Sequence, residues 1–399
     1  MDLQAIQAAL RAERVDGWLF YDHHQRDAIG YRILGLPAML ASRRWYYLIP
    51  VEGEPRKLVH RIEAGALEAL PGECERYARW GELEAGLRHL LALLPANPKV
   101  AMQYSPGCML PAVSLADGGT CEQIRALGVQ LVSAADLIAR FDAGWTAEML
   151  AGHRAAGKVI DAAIQAAFAE VRQALDRGRP MDEYGLQQWM EQRMVGAGLA
   201  AGEPPIVAVN AHAGDPHYLA AATGSARIQA GDLLLLDVWG RTDQAGSAYY
   251  DVTWMGYCLR PGENKVPVEF TRTFAIAAAA RDAGVRRVQE AMAGGHWLRG
   301  FEVDQEVRAV IEAAGLGEYF VHRTGHSLGR EVHASGANMD DYETHDVRGI
   351  LPDTAFTIEP GIYCPQGQPF GVRTEVNLYV NADHAVEVTG PIQREIVKI

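Results

Sequence analysis

The sequence contains few cysteines, and none of them stands in a C-x-x-C pair. The odd number and wide spacing of the cysteines argue against a disulfide framework of the kind that stabilises small secreted domains. The same pattern argues against a thiolate zinc site. We therefore expect reduced thiols in the core or on the surface at all five positions: Cys74, Cys108, Cys121, Cys258 and Cys364.

Long apolar runs and basic blocks are also missing. The first residues, MDLQAIQAALRAERVDGWLFYDHH, mix charged and apolar side chains in a pattern typical of neither a secretory signal nor a membrane span. Lys and Arg total 37 against 50 Asp and Glu, which gives a formal net charge of −13. We therefore expect a cytoplasmic protein that binds neither membranes nor nucleic acid.

The chain is long and apolar enough for two hydrophobic cores. Its 399 residues, 49% of them hydrophobic, exceed what one compact core of ordinary size needs. Helical and strand patterns alternate up to about residue 142, which predicts a small α/β domain. The composition changes around FDAGWTAEML, where an Ala-rich helix begins and runs to about Asp176. We place the boundary there and predict domains of residues 1–142 and 143–399.

Strand patterns dominate two parts of the second domain. In GDLLLLDVWG, four consecutive leucines after a turn signal predict a strand covered on both faces, and DVTWMGYCL predicts its hairpin partner. Near the end of the chain, TAFTIEPGIYC and GVRTEVNLYV predict two more strands, separated by a turn rich in Gly, Pro and Gln.

Four carboxylates lie in or beside these apolar strands, where ionised groups are costly unless they are paired or bound to metal. They are Asp237, Asp251, Glu359 and Glu375, and only Arg373 lies near the two glutamates in sequence. Packed together without metal, such groups would raise one another's pKa sharply. Two divalent cations would supply the missing positive charge, and oxygen ligands with one imidazole suit manganese, cobalt or zinc.

The stretch HRTGHSLGREVH offers the imidazole. His322 and His326 are four residues apart and would share one face of a helix, but the intervening Thr324 and Gly325 favour a strand or a turn. In a strand or turn the two rings would be less suited to bind one ion than they would be on one face of a helix. We therefore predict a single histidine ligand in this stretch.

Four segments, LLLLDVW…YYDVTW, HRTGHSLGREVH, FTIEPGIY and VRTEVNLYV, resemble in order and context the five-ligand pattern of the pita-bread metallopeptidases. This family includes prolidase, aminopeptidase P and, more distantly, methionine aminopeptidase and creatinase. The resemblance implies a creatinase-like N-terminal α/β domain before an α+β catalytic domain of pita-bread fold. It also implies a homodimer that hydrolyses short proline-containing peptides, foremost Xaa-Pro dipeptides, with two divalent ions per chain, manganese before cobalt or zinc.

The resemblance assigns the metal ligands residue by residue. Asp237, Asp251, His326, Glu359 and Glu375 match the five ligands, with Asp251 and Glu375 bridging the two ions. Glu359 would also accept the proton of the attacking water.

Further residues match the substrate site of the family. His322 and His333 match histidines that line it, and His217 matches a histidine over the substrate. His217 and His333 would stabilise the tetrahedral oxyanion and protonate the leaving nitrogen. Arg373 would either pair with a site carboxylate or bind the free carboxylate of a C-terminal proline.

Some features depart from the family pattern. The two aspartates are 251 − 237 = 14 residues apart, which is more than is usual in the family. A longer turn in the hairpin can accommodate the additional residues. Ser327 and Ala334 replace residues common in the family after His326 and His333, and these changes bear on substrate contacts more than on metal binding.

Other members of the family remain as alternatives. An aminopeptidase P would act on longer peptides. The N-terminal domain argues against methionine aminopeptidase, and the retained ligand types argue against creatinase. A non-catalytic binding module, such as a histone-chaperone domain, would have lost ligands.

Overall fold

The computed structural model describes residues 1–37, 41–364 and 369–399. The chain divides into two compact units, here called the N-terminal unit (Met1–Asp142) and the C-terminal unit (Ala143–Ile399). The turn predicted between the last two strands falls mainly on residues 365–368, which lie outside the described residues. All five cysteines lie within the described ranges and are free. In those ranges, each helix is too short or too polar to cross a membrane.

The N-terminal unit has a mixed sheet with the strand order β4-β3-β2-β1-β5-β6, in which β1 pairs antiparallel with β2 and parallel with β5. Trp18 and Phe20 face one hydrophobic cluster and Leu19 and Tyr21 face another, so helices cover both sides of β1. The elements are α1 Leu3–Glu13, β1 Gly17–Asp22, α2 Ala28–Leu34, β2 Trp45–Pro50, β3 Arg56–His60, β4 Glu73–Tyr77, α3 Trp80–Leu91, β5 Lys99–Met102, α4 Gly118–Ala126, β6 Gln130–Ser133 and α5 Ala135–Phe141.

The C-terminal unit contains two larger sheets, ordered β16-β9-β8-β7 and β10-β11-β14-β15, and the hairpin β12-β13. The elements are α6 Ala147–Asp176, α7 Glu183–Gly196, β7 Ile206–Val209, β8 Leu233–Gly240, β9 Tyr250–Tyr257, α8 Val268–Ala293, α9 Gly300–Ala313, β10 Ser327–Leu328, β11 Thr354–Ile358, β12 Gly361–Cys364, β13 Phe370–Arg373, β14 Val376–Val380, β15 Val386–Val388 and β16 Val397–Lys398.

The leucine run in β8 is buried on both faces, as the sequence predicts. Leu233 and Leu235 pack in the cluster that contains α8 and α9, whereas Leu234 and Leu236 pack in the cluster that contains α6 and α7. Because side chains alternate along a strand, Asp237 falls on the same face as Leu233 and Leu235. The predicted hairpin is also confirmed, since β8 pairs antiparallel with β9.

Each of the two strands predicted near the end of the chain is divided in two. Glu359 and Pro360 separate β11 from β12, and Thr374 and Glu375 separate β13 from β14. Proline has no N–H to donate to a sheet, and it commonly ends a run of strand hydrogen bonds. The interruptions place both glutamates at the ends of strands.

A buried histidine in α6 ties this helix to the sheets of the C-terminal unit. His153 is fully buried, with Nδ1 2.6 Å from the carbonyl oxygen of Tyr249 and Nε2 2.6 Å from Oγ1 of Thr389. The neutral ring satisfies both contacts by donating through Nδ1 and accepting through Nε2. Burial lowers the pKa of His153 from 6.5 to about 4.

We expect this histidine to make the C-terminal unit less stable in acid. The unfolded chain takes up a proton near pH 6.5 and the folded chain only near pH 4, so stability is lost as the pH falls between these values. The loss from pH 7 to pH 4.5 is roughly 2 to 3 kcal/mol, at 1.36 kcal/mol per pKa unit. Urea unfolding of the wild type and His153→Gln at both pH values measures it. An equal loss in both proteins would rule out His153 as the cause.

Candidate metal centre

The hairpin of β8 and β9 brings two aspartates to one face. Asp237 lies opposite Thr253, and Asp251 lies opposite Trp239. All four side chains therefore project from the same face of the hairpin, with the two aspartates one diagonal step apart. The Asp251 N–H donates a hydrogen bond to Oδ1 of Asn377 in β14 (3.2 Å), which links this sheet to the other one.

The second sheet places two glutamates opposite each other. Strand β11 pairs antiparallel with β14, and the last pair in the ladder is Ile358 with Val376. The next step of this register puts Glu359 opposite Glu375. The side chain of Glu359 keeps 15% of its surface exposed, whereas Glu375 is buried.

The histidine enters from the loop before β10. The Glu359 N–H donates to the Thr324 carbonyl (2.7 Å), and the Thr357 N–H donates to the His326 carbonyl (2.9 Å). A Cβ at Gly325 would lie 2.0 Å from the carbonyl oxygen of Thr357, so only glycine allows this close approach. The loop is not helical, which confirms that His322 and His326 do not share a helix face.

These residues form one cluster. The Nε2 atom of His326 lies 3.5 Å from Oδ2 of Asp251 and 3.4 Å from Oε1 of Glu359. The possible ligand atoms of Asp251, His326 and Glu375 all lie within 4.8 Å of one another. Asp237 joins the cluster through Thr253, whose Oγ1 lies 3.2 Å from Oδ1 of Asp237 and 2.8 Å from Oε2 of Glu375.

The electrostatics of the cluster show a shortage of positive charge. Burial raises the pKa of Asp251 to about 7, and burial also raises the pKa of Asp237 and of Glu375. Burial acts in the same direction on Glu359, but the charges of His326 and His322 outweigh it and lower the pKa of Glu359. Burial lowers the pKa of His326, but the hydrogen bond to Asp251 and the charges of Glu359 and Asp251 together outweigh it and raise that pKa.

Two oxygens of the cluster have no partner. Among the described residues, nothing donates a hydrogen bond to Oδ1 of Asp251 or Oε1 of Glu375, although both atoms are buried. A buried carboxylate oxygen without a donor is costly unless a cation binds it. The donor set of four carboxylates and one imidazole suits a hard or borderline divalent ion. The residues therefore fit a metal centre.

Arg373 lies against the cluster, and its guanidinium donates hydrogen bonds to other residues of the protein. Nη2 donates to Oδ2 of Asp237, Nε donates to Oγ1 of Thr253 (3.0 Å), and Nη1 donates to the Tyr363 hydroxyl (3.1 Å). The Tyr363 hydroxyl in turn lies 2.7 Å from Nε2 of His322. Of the two roles foreseen for Arg373, this arrangement favours pairing with a site carboxylate over binding the substrate.

A cavity of about 620 Å³ opens over the cluster. The three histidines named from the family pattern all line it: His217 and His333 are exposed, and His322 is half-buried. The His333 ring stands edge-on to the His326 ring, with centroids 4.3 Å apart. Although residue 333 as a whole is exposed, desolvation of its ring, aided by the charge of His326, lowers the pKa of His333 to about 3. The cavity thus brings together all nine residues that the sequence singled out.

The loop that carries His217 is held by a residue that the sequence analysis missed. Glu183, the first residue of α7, is fully buried and accepts hydrogen bonds from the Val209 N–H (2.8 Å), His212 Nδ1 (2.9 Å) and the Tyr218 hydroxyl (2.7 Å). The rings of His212 and Tyr218 stack on each other. No local sequence signal marks Glu183, because its partners come from 26 to 43 residues away.

Known proteins resemble this chain over most of its length. A probable dipeptidase PepE of Mycobacterium tuberculosis is 27% identical over 89% of this chain and 86% of its own. The Xaa-Pro dipeptidase of Pyrococcus furiosus is 27% identical over 60% of this chain and 61% of its own. The crystal structure of dipeptidase PepE from Mycobacterium ulcerans superposes with a TM-score of 0.70 at 24% identity, covering 100% of this chain and 96% of that one.

Such structural similarity confirms the predicted fold class, a creatinase-like α/β domain followed by a pita-bread domain. The sequence model of metallopeptidase family M24 matches residues 151–382, which include every residue of the cluster. The chain therefore belongs to metallopeptidase family M24.

Proposed function

We propose that this metallopeptidase hydrolyses Xaa-Pro dipeptides with two divalent ions per chain. The observation that carries the proposal is the convergence of Asp237, Asp251, His326, Glu359 and Glu375 below one cavity. These five residues would hold the ions, and Asp251 and Glu375 each offer a buried oxygen to which no described residue donates a hydrogen bond. A volume of about 620 Å³ is ample for a dipeptide.

Bound divalent ions supply a water of lowered pKa and polarise the scissile carbonyl. Glu359 accepts the proton of the attacking water, and the Thr357 hydroxyl orients its carboxylate through a hydrogen bond of 3.0 Å. His217 and His333 face the cavity, where each can donate an N–H to the developing oxyanion or to the leaving nitrogen.

The rest of the cavity suits an apolar imino acid. Ile206, Leu219, Trp239 and Val332 line it beside the polar cluster. A proline ring has no N–H that needs a partner, so an apolar wall binds it without leaving a buried donor unsatisfied. A preference for manganese, a homodimeric state and a cytoplasmic location belong to the same proposal and rest on the family pattern and the composition.

A substrate panel tests the proposal. We expect Ala-Pro to be cleaved with a higher kcat/KM than Ala-Ala or Ala-Pro-Ala, and we expect exhaustive chelation to abolish cleavage and manganese to restore it. Elemental analysis should give two ions per chain. A tenfold preference for Ala-Pro-Ala would identify an aminopeptidase P. Unchanged activity in metal-free protein would contradict the metal-dependent mechanism.

A further inference from the structure

Among the residues that the structure describes, two arginines line the cavity, Arg323 and Arg373, and only the guanidinium of Arg323 is without a partner there. Arg373 donates to Asp237, Thr253 and Tyr363, and its side chain is only 4% exposed. It has little capacity left for a substrate.

Arg323 is anchored through its backbone. Its N–H donates to Oε1 of Glu343 (3.0 Å), and its carbonyl oxygen lies 2.7 Å from Nδ1 of His322. The preceding carbonyl, that of His322, accepts a hydrogen bond from Nη2 of Arg308. The backbone at this position is therefore fixed from both sides.

The Arg323 side chain, by contrast, is half-buried and uncommitted. Within residues 1–37, 41–364 and 369–399, its guanidinium makes neither a hydrogen bond nor an ion pair. Arg323 lines the same cavity as Glu359, His326 and His333, so it lies on the wall beside the proposed reacting centre. A partly desolvated guanidinium that faces a cavity is a receptor for a carboxylate.

We propose that Arg323 binds the C-terminal carboxylate of the dipeptide, an inference that rests on the proposed dipeptidase function. One residue of extended chain spans about 3.5 Å. The carboxylate of Xaa-Pro therefore lies one residue from the scissile bond, within reach of an arginine beside the metal cluster. In a tripeptide the carboxylate moves a further residue away, and Arg323 faces a peptide carbonyl instead. Arg323 is thus the residue that selects dipeptides.

The test compares Ala-Pro with its C-terminal amide, Ala-Pro-NH2. In the wild type we expect kcat/KM for the acid to exceed that for the amide by roughly tenfold to a hundredfold, the range for a hydrogen bond to a charged group. In Arg323→Gln this ratio should fall to about one, because kcat/KM falls for Ala-Pro and stays unchanged for Ala-Pro-NH2. Most of the change should be a rise in KM for Ala-Pro. Arg323→Lys, which keeps the charge but loses the bidentate geometry, should give an intermediate ratio.

A matched control is Arg330→Gln. Arg330 lies in the same segment and is exposed, and it does not line the cavity. This variant should keep the wild-type ratio. If Arg323→Gln hydrolyses Ala-Pro with the wild-type ratio of acid to amide, the carboxylate site is overturned while the proposed function stands.

Ala-Leu and its amide separate the two proposals further. If Ala-Leu is preferred over Ala-Pro and its ratio of acid to amide still depends on Arg323, the proline specificity fails and the carboxylate site stands. If no peptide is cleaved, calorimetric Kd values for the reduced-bond analogue of Ala-Pro and for its amide decide. Equal Kd values in the wild type would overturn the Arg323 site, and a preference for the acid that Arg323→Gln removes would support it.

Discussion

Replacing Glu375 by glutamine is expected to lower kcat/KM for Ala-Pro by about three powers of ten and to reduce the bound metal. The substitution keeps the size of the side chain but removes one negative charge from a cluster that needs cations to offset its carboxylates. Metal ions contribute several kcal/mol to transition-state stabilisation, and each 1.36 kcal/mol is a factor of ten in rate. Elemental analysis and steady-state kinetics on the same preparation measure both effects.

The control for this variant is Glu387→Gln. Glu387 lies in β15 on the surface, where it pairs with Arg154 and keeps 44% of its side chain exposed. An exposed ion pair contributes little, so activity and metal content should stay close to those of the wild type. Equal losses in the two variants, or a full complement of metal in Glu375→Gln, would show that Glu375 is not a metal ligand.

Replacing His217 or His333 by alanine is expected to lower kcat by about a hundredfold to ten-thousandfold, the range for loss of a general acid or base. Both side chains line the cavity, and the proposed ligands come from other positions. We therefore expect the metal content of each variant to stay near that of the wild type. The kinetic loss should appear in kcat because the two imidazoles act in the transition state.

A matched control is His296→Ala, because His296 is exposed and lies outside the cavity. If metal is lost in parallel with kcat in His217→Ala or His333→Ala, that histidine is a ligand. If kcat stays at the wild-type value, the residue only lines the wall of the cavity.

Strand spacing in the sequence could also have predicted two further residues of the site. Thr253 follows Asp251 by two residues in a strand, and such spacing puts both side chains on one face. The structure shows Thr253 in contact with Asp237 and Glu375. The same spacing rule applied to Asp237 leads to Trp239, which lines the cavity. Strand periodicity therefore extends the site by one residue on each strand of the hairpin.

Other features of the structure could not be predicted from local sequence patterns. Glu183 resembles an ordinary acidic residue in the first turn of a helix, a position that the helix dipole favours. Its burial and its hydrogen bonds to the loop of His217 depend on how α7 packs against β7. In the N-terminal unit, α2, β3 and β4 are short, and the sequence alone predicts only an alternation of helices and strands there.

The sequence by itself determined the residue types of the site, because carboxylates in apolar strands are costly and require a compensating charge. It also predicted the leucine strand, since four consecutive leucines after a turn signal favour a strand covered on both faces. Which arginine is available to bind a substrate carboxylate was decided by the tertiary structure alone. Arg323 and Arg373 are equally charged in the sequence, but the fold places Asp237, Thr253 and Tyr363 around Arg373 and leaves Arg323 on the cavity wall, where none of the other described residues pairs with its guanidinium. Such pairing depends on distances between strands far apart in the chain, which local patterns do not contain.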